Sequence, residues 1–177
     1  VTPYAQLLGA ALADLPGPCR ALHGGFGRFQ GRITVLAAPL APLRLLARLA
    51  GLPGAVTDAP LVFETAPEGG GARWTRRIGA HVMASHQTAM PDGTLAERLG
   101  PLTLAAWLRP GPQGLALETA WVRVLGLPLP RLLWPRVTAR EWAEGGRYRF
   151  DISIALPLGG PRLIAYSGHL DTGPPGV

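Results

Sequence analysis

The chain has 177 residues, 47% of them hydrophobic and 16% charged, which suits one domain with a sizeable core and excludes a disordered segment. Its net charge of +6 comes from 17 arginines and no lysine. They are dispersed, with only Arg76 and Arg77 adjacent, so no basic run marks a nucleic-acid footprint, and no apolar run approaches the ~20 residues of a membrane-spanning helix.

The N-terminal stretch carries Asp14 and no basic lead, so it does not read as a secretory signal. Tyr4, Leu7, Leu8, Ala11, Leu12 and Leu15 recur at helical spacing, with Thr2 as cap and Pro3 in the first helical position. A second short helix is expected at about Pro18–His23, stopped by Gly24-Gly25. It holds Cys19, the single cysteine. One cysteine excludes an intramolecular disulfide and a cysteine metal cluster, and points to a packed thiol in a reducing, cytoplasmic setting.

The period then changes to two. In RFQGRITVL (28–36), Phe29, Gly31, Ile33 and Val35 oppose Arg28, Gln30, Arg32 and Thr34. One helix follows near 40–51, with Leu45, Leu46 and Leu49 as its apolar side and Gly51 and Pro53 ending it. Beyond residue 60 the chain reads as strands: 61–65, 72–79, 80–88, 102–109, 114–124, 136–144, 147–156 and 162–170, joined by Gly/Pro turns, with TLAERLG between the third and fourth. This predicts a mainly β (α+β) fold: an antiparallel up-and-down, lipocalin-like barrel, or a strongly bent sheet, with the short N-terminal helices plugging or flanking one end. A helix-grip fold is disfavoured because the chain ends in a strand rather than a long helix. Residues 1–173 are expected to form a single domain and 174–177 a disordered tail.

A barrel of about eight to ten strands holds side chains or one small ligand inside, and the strand faces suggest which. RYRFDISIAL puts Tyr148, Phe150, Ile152 and Ile154 on one purely apolar face. Elsewhere the faces are mixed. Arg76 shares a face with Trp74 and Ile78; His86 follows Ala80, Val82 and Ala84; Arg123 follows Leu115, Leu117 and Trp121; Glu141 follows Val137 and Ala139. A charge aimed inward needs a partner or water, so Arg76 or Arg123 is expected to pair with Glu97, Glu118 or Glu141, or these strand ends line a wet pocket. Inward Gly31, Ala80, Ala84, Ala106 and Ala139 favour an open cavity. The candidate ligand-binding set is therefore Trp74, Arg76, His86, Glu97, Arg123 and Glu141. GLPLPRLLWPRV (126–137) connects two strands, with one helical turn between Pro130 and Pro135. It is expected to lay Leu129, Leu132, Leu133 and Trp134 over one barrel end, as a plug, a lid or a docking face.

No catalytic signature is present. HGGFGRFQG enters a strand rather than a helix, the wrong order for phosphate binding, and no Walker, His-Glu-x-x-His or Gly-x-Ser-x-Gly motif occurs. His23, His81, His86 and His169 lack a metal-ligand spacing, and no cofactor or metal is expected.

PYAQLLGAALADLPGPCRALHG at the start, WTRRIG (74–79), ERLGP (97–101), LGLPLPRLLWPRVTARE (125–141) and RYRFDISIALPLGGPRLIAYSGHLD at the end together resemble the bacterial domain-of-unknown-function family 4166. Members of that family stand alone or follow Rossmann-type dehydrogenase or epimerase domains. The resemblance implies an accessory module with a dehydrogenase-type partner and no defined reaction.

Three functions stay open at this point. One is a barrel that binds a hydrophobic or amphipathic small molecule oriented by Arg76, which requires a pocket of about 300 Å³ or more. Another is a cavity isomerase or cyclase using Glu141, Glu97 or His86 as acid or base. The third is an interaction module that docks on a partner domain or forms a homodimer through the proline-rich loop.

Overall fold

Thr2 and Pro3 start α1 (Pro3–Leu8) as their chemistry predicts: the Thr2 hydroxyl accepts from the Ala5 amide at 3.1 Å, and Pro3 sits where no backbone donor is needed. The computed structural model describes residues 1–49 and 51–173, without the side chains of Leu46 and Leu49. The expected tail at 174–177 and the expected apolar roles of Leu46 and Leu49 lie outside those described residues. α1 is shorter than its apolar stripe because Gly9 takes φ +52, and a 3₁₀ turn (Gly9–Leu12) follows. α2 (Gly17–Gly24) then buries Cys19, Leu22 and His23 on one helical face.

The remaining chain forms β1 (Gly27–Ala37), α3 (Ala41–Leu49), β2 (Val56–Glu68), β3 (Gly71–Ile78), β4 (His81–Ala89), β5 (Leu95–Leu99), β6 (Leu102–Gly111), β7 (Gly114–Val124), the two-residue β8 (Leu127–Pro128), β9 (Arg136–Glu144), β10 (Arg147–Ala155) and β11 (Arg162–Asp171). Each long strand pairs antiparallel with two neighbours. β1 joins β11, and β7 bridges β6 and β9, so the sheet closes on itself. The fold is mainly antiparallel β, a closed up-and-down barrel of ten long strands with a few short helices. Closure removes every long free edge.

Successive strands reverse direction, so the connections alternate between two ends. End A receives α1 and α2, together with the connections 69–70, 90–94, 112–113 and 145–146. End B carries 38–55, which includes α3, and the connections 79–80, 100–101, 125–135 and 156–161. At end A, Tyr4, Leu15, Cys19, Leu22 and His23 are buried in the same core as Trp74, Tyr148 and Phe150. The N-terminal helices thus plug that end.

Several face assignments change. On β4 the buried residues are Met83, Ser85 and Gln87, so Ala84 and His86 point outward. The period of two is present, but with phase opposite to the expectation, because small residues occupy both faces. On β7 the register shifts opposite Ala105 and Ala106. That bulge inverts the alternation after Thr119, burying Val122 and turning Trp121 and Arg123 outward. Leu45 is 59% exposed, so it is not part of the buried side of α3, where Ala47 is buried.

Gly31 is inward, but for a reason other than cavity space. A Cβ there would come within 1.9 Å of the His169 carbonyl oxygen, and one on Gly168 within 2.1 Å of that of Arg32. These two glycines let the backbones of β1 and β11 approach closely.

Candidate functional site

β3 places Trp74, Arg76 and Ile78 on its inward face, and β5 does the same for Leu95, Glu97 and Leu99, so one charge of each sign enters an apolar interior. They meet. Arg76 Nη2 donates to Glu97 Oε1 at 3.0 Å, Arg76 Nη1 donates to Ser85 Oγ at 3.0 Å, and the Ser85 hydroxyl donates to the same Glu97 oxygen at 2.5 Å. The guanidinium lies over two aromatic rings, 5.4 Å from the Phe63 centroid and 5.5 Å from that of Trp74. Burial alone would lower the Arg76 pKa, but Glu97 and Tyr166 outweigh it and hold the guanidinium above its ordinary value. With only 14% of its side chain exposed, Arg76 is a fixed cation inside the barrel.

A second polar cluster sits against the helical plug. His23 Nε2 and Glu141 Oε2 lie 2.5 Å apart, with the two side chains 0% and 5% exposed. The plug positions His23 through both flanks: its backbone carbonyl accepts from the Thr2 hydroxyl at 2.5 Å, and its ring stacks on Tyr4 at 4.0 Å. Trp74 continues the stack 5.5 Å from Tyr4, and Tyr148 meets His23 edge-on. His23 Nδ1 and Gln87 Oε1 have no hydrogen-bond partner among the described residues. Burial, reinforced by Glu141, pushes the Cys19 thiol up to about 12 and the Tyr4 and Tyr148 phenols well above their ordinary value. All three groups stay protonated at neutral pH, so Cys19 is a packed thiol rather than a nucleophile.

The two clusters face one chamber. Arg76, Glu141, Tyr148 and Tyr166 are its polar groups; Phe63, Trp74, Phe150 and Ile152 supply much of the apolar wall, and Pro53 borders it at end B. Its volume is about 50 Å³, short of the 300 Å³ that the sequence-based expectation of an open cavity requires. Aromatic rings and the plug fill the remainder. A recess of about 290 Å³ lies under α3, walled by Ala47, Leu163 and Ile164 beside Arg44 and Arg48, and it shares Pro53 with the chamber. Outside the wall, an open groove of about 1250 Å³ runs along Arg109, Gly114, Arg140 and Trp142, and Glu141 borders this groove as well as the chamber.

Of the predicted site residues, Trp74, Arg76, Glu97 and Glu141 come together inside. His86 lies outside, 3.1 Å from Glu68, and Arg123 lies outside over the Trp121 ring. Leu129, Leu132, Leu133 and Trp134 surround the 3₁₀ turn Arg131–Leu133 at end B, where Trp134 Nε1 donates to the Leu129 carbonyl at 2.8 Å. Leu132 and Leu133 are 64% and 50% exposed, so they do not complete the core as a plug. Sequence reasoning missed Ser85, on the face of β4 whose phase was inverted, and His23, whose signal was present in the helical period that sets it beside Cys19 and Leu22.

The model of the family described as Domain of unknown function (DUF4166) matches residues 15–170. The chain belongs to this family. The match takes in every strand of the barrel, except the last residue of β11, together with α2 and His23; α1 lies before it. No curated protein matches the chain. Among solved structures, a zebrafish ileal bile acid-binding protein in complex with cholic acid aligns at 13% identity, with a TM-score of 0.35, over 80% of this chain and 95% of that one. A score that low supports no conclusion about this DUF4166 chain.

Proposed function

We propose that the barrel binds a small amphipathic molecule, its polar end at Arg76 and its apolar body along the rings of the chamber. The observation that carries this reading is the Arg76–Ser85–Glu97 group. A buried ion pair is weak evidence for stability, since well-packed apolar residues do as well or better. A pair with its guanidinium facing an apolar chamber is suited to orienting a ligand. The chamber in its present form is too small for such a molecule, so occupancy requires Pro53 to yield and the recess under α3 to join it. A resident ligand would enter from end B, because α1 and α2 fill end A.

Native mass spectrometry of gently purified protein tests the reading, and a co-purifying small molecule is the expected result. Titration with an anionic amphipathic dye, anilinonaphthalene sulfonate, gives the residue-level test. The double variant Arg76→Met/Glu97→Gln avoids stranding a lone charge and should weaken dye binding at least about tenfold, the order of one charge-assisted contact. Unchanged binding by a folded double variant would sink the assignment.

A second reading rests on the His23–Glu141 contact. A carboxylate and an imidazole 2.5 Å apart can hold and pass a proton, and Glu141 borders the chamber. This makes acid–base isomerisation of the bound molecule the alternative. It predicts that Glu141→Gln retains the ligand and abolishes its conversion. Recovery of the ligand chemically unchanged after incubation with wild-type protein leaves binding alone. A Rossmann-type dehydrogenase partner is supported by the family resemblance only, and co-purification of the two tests it.

A further inference from the structure

Large apolar side chains gather at one end of this molecule. Four of the 125–135 connection, Leu125, Leu127, Leu132 and Leu133, are between 50% and 79% exposed, and Leu158 of the 156–161 connection is 77% exposed. Leu40 and Leu45 add 55% and 59% from the segment carrying α3, and Leu36, at the end of β1, adds 47%. An exposed apolar surface on this scale marks an interaction site.

The backbone gives an independent indication. Leu125-Gly126 takes φ of +51 and +81, and Leu158-Gly159 takes +57 and +73. Both are tight turns with two left-handed residues, which favour Gly, Asn or Asp. End A makes the same geometry with Gly69-Gly70 (+53 and +78) and Gly145-Gly146 (+58 and +76). At end B a leucine stands in the strained first position both times, and the turn throws it outward.

Charge completes the pattern. The end B connections 38–55, 79–80, 100–101, 125–135 and 156–161 contain no Asp or Glu. Arg44, Arg48 and Arg131 lie in them, while Arg123, Arg136 and Arg162 lie at adjoining strand ends, and none of these six has a carboxylate partner among the described residues. By contrast, Arg28, Arg73, Arg109, Arg147 and Arg149 towards end A are all paired. The exceptions to the contrast are Arg20 of α2, which donates to the Ala13 carbonyl, and Arg77 at the end B tip of β3, 3.7 Å from Glu64.

We infer that end B docks on an anionic lipid bilayer, the leucines entering the interface and the unpaired arginines lying at headgroup level. The occupant follows from complementarity. Apolar tips ringed by uncompensated cations match an interface that is apolar below and negative above. The barrel wall itself carries Arg28, Arg32, Arg147 and Arg149 on its outer face, so the contact is made by the rim and not by a spanning belt.

Vesicle co-sedimentation with the full chain tests this. Phosphatidylcholine vesicles containing phosphatidylglycerol should pellet the protein, pure phosphatidylcholine vesicles should not, and added salt should weaken the binding. Arg131→Gln/Arg136→Gln/Arg162→Gln should lower partitioning about a hundredfold. Leu125→Asn/Leu158→Asn should lower it at least about tenfold without lowering Tm, because asparagine suits the left-handed turn. That unchanged or raised Tm separates lost docking from lost folding. Absence of binding to anionic vesicles would overturn the inference. So would equal loss from the end A control Arg73→Gln/Arg147→Gln, or a dimer that the leucine variant dissociates, which would assign the face to a second copy of the chain. Dye binding inside the barrel is read separately, so failure at the rim leaves the chamber reading standing.

Discussion

The two ends of the barrel are built to opposite rules. End A is closed by α1 and α2, two of its tight turns are Gly-Gly, and most of its arginines are paired. End B has leucine before glycine in two turns of the same geometry, and six arginines with no carboxylate partner among the described residues. The difference separates what holds the barrel together from what it presents. Packing is concentrated where the helices enter, and strained leucines and exposed apolar surface where they do not.

The widest test of the end A rule is alkaline titration. Cys19, Tyr4 and Tyr148 all have raised pKa values in the folded state. A group raised on folding contributes stability that is complete below its unfolded pKa and is lost as pH rises through the folded one. For Cys19 that window opens at the ordinary value of 9.0 and runs to about 12, and the tyrosines extend it upward. The third tyrosine, Tyr166, is raised as well, chiefly by burial. Tyrosinate absorbance should therefore appear only together with loss of the circular dichroism signal. Ionisation of one tyrosine in a still-folded barrel would break the picture of a sealed plug.

Next in size is the buried pair. Glu141→Ala leaves His23 Nε2 without its partner against the plug and should cost about 1–3 kcal/mol, whereas Leu132→Ala at end B should stay within about 0.5 kcal/mol. Denaturant midpoints measure both, and comparable losses would erase the distinction between the ends. Gly31→Ala, which forces a Cβ onto the His169 carbonyl, should cost about 1–3 kcal/mol. A neutral result in the same unfolding assay would mean that the wall has slack at the β1–β11 seam.

How much of this could be read from residues depended on how sharply each strand distinguished its faces. β10 alternates Tyr148, Phe150 and Ile152 against Arg149 and Asp151, and its faces were legible, as was the inward Arg76 with Glu97 as a candidate partner. β4 mixes Ala, Ser, Val and His on both sides, so its phase was set by packing that the local sequence does not record. The bulge on β7 inserts one residue opposite Ala105 and Ala106 without any glycine or proline to announce it. His23 and Glu141 are 118 residues apart, and nothing local to either names the other. The exposure of the leucine-rich connection was equally hidden, because a plug and a docking face have the same composition.

The smallest predicted effect is the most direct comparison of the two ends. Leu158 holds φ +57 with 77% of its surface exposed, so little packing offsets a left-handed backbone that costs a branched residue about 1–2 kcal/mol. Leu158→Asn should then raise stability by about 1 kcal/mol, because asparagine tolerates that region and hydrogen-bonds its own turn. The reciprocal change at end A, Gly145→Leu, should cost a similar amount at an identical turn geometry. Thermal unfolding of the two variants reads the pair. Equal and opposite shifts mean that the leucine is retained against stability, as a surface under some other demand would be. If Leu158→Asn instead destabilises the fold, the leucine has packing partners of its own, and the contrast between the ends reduces to their charge.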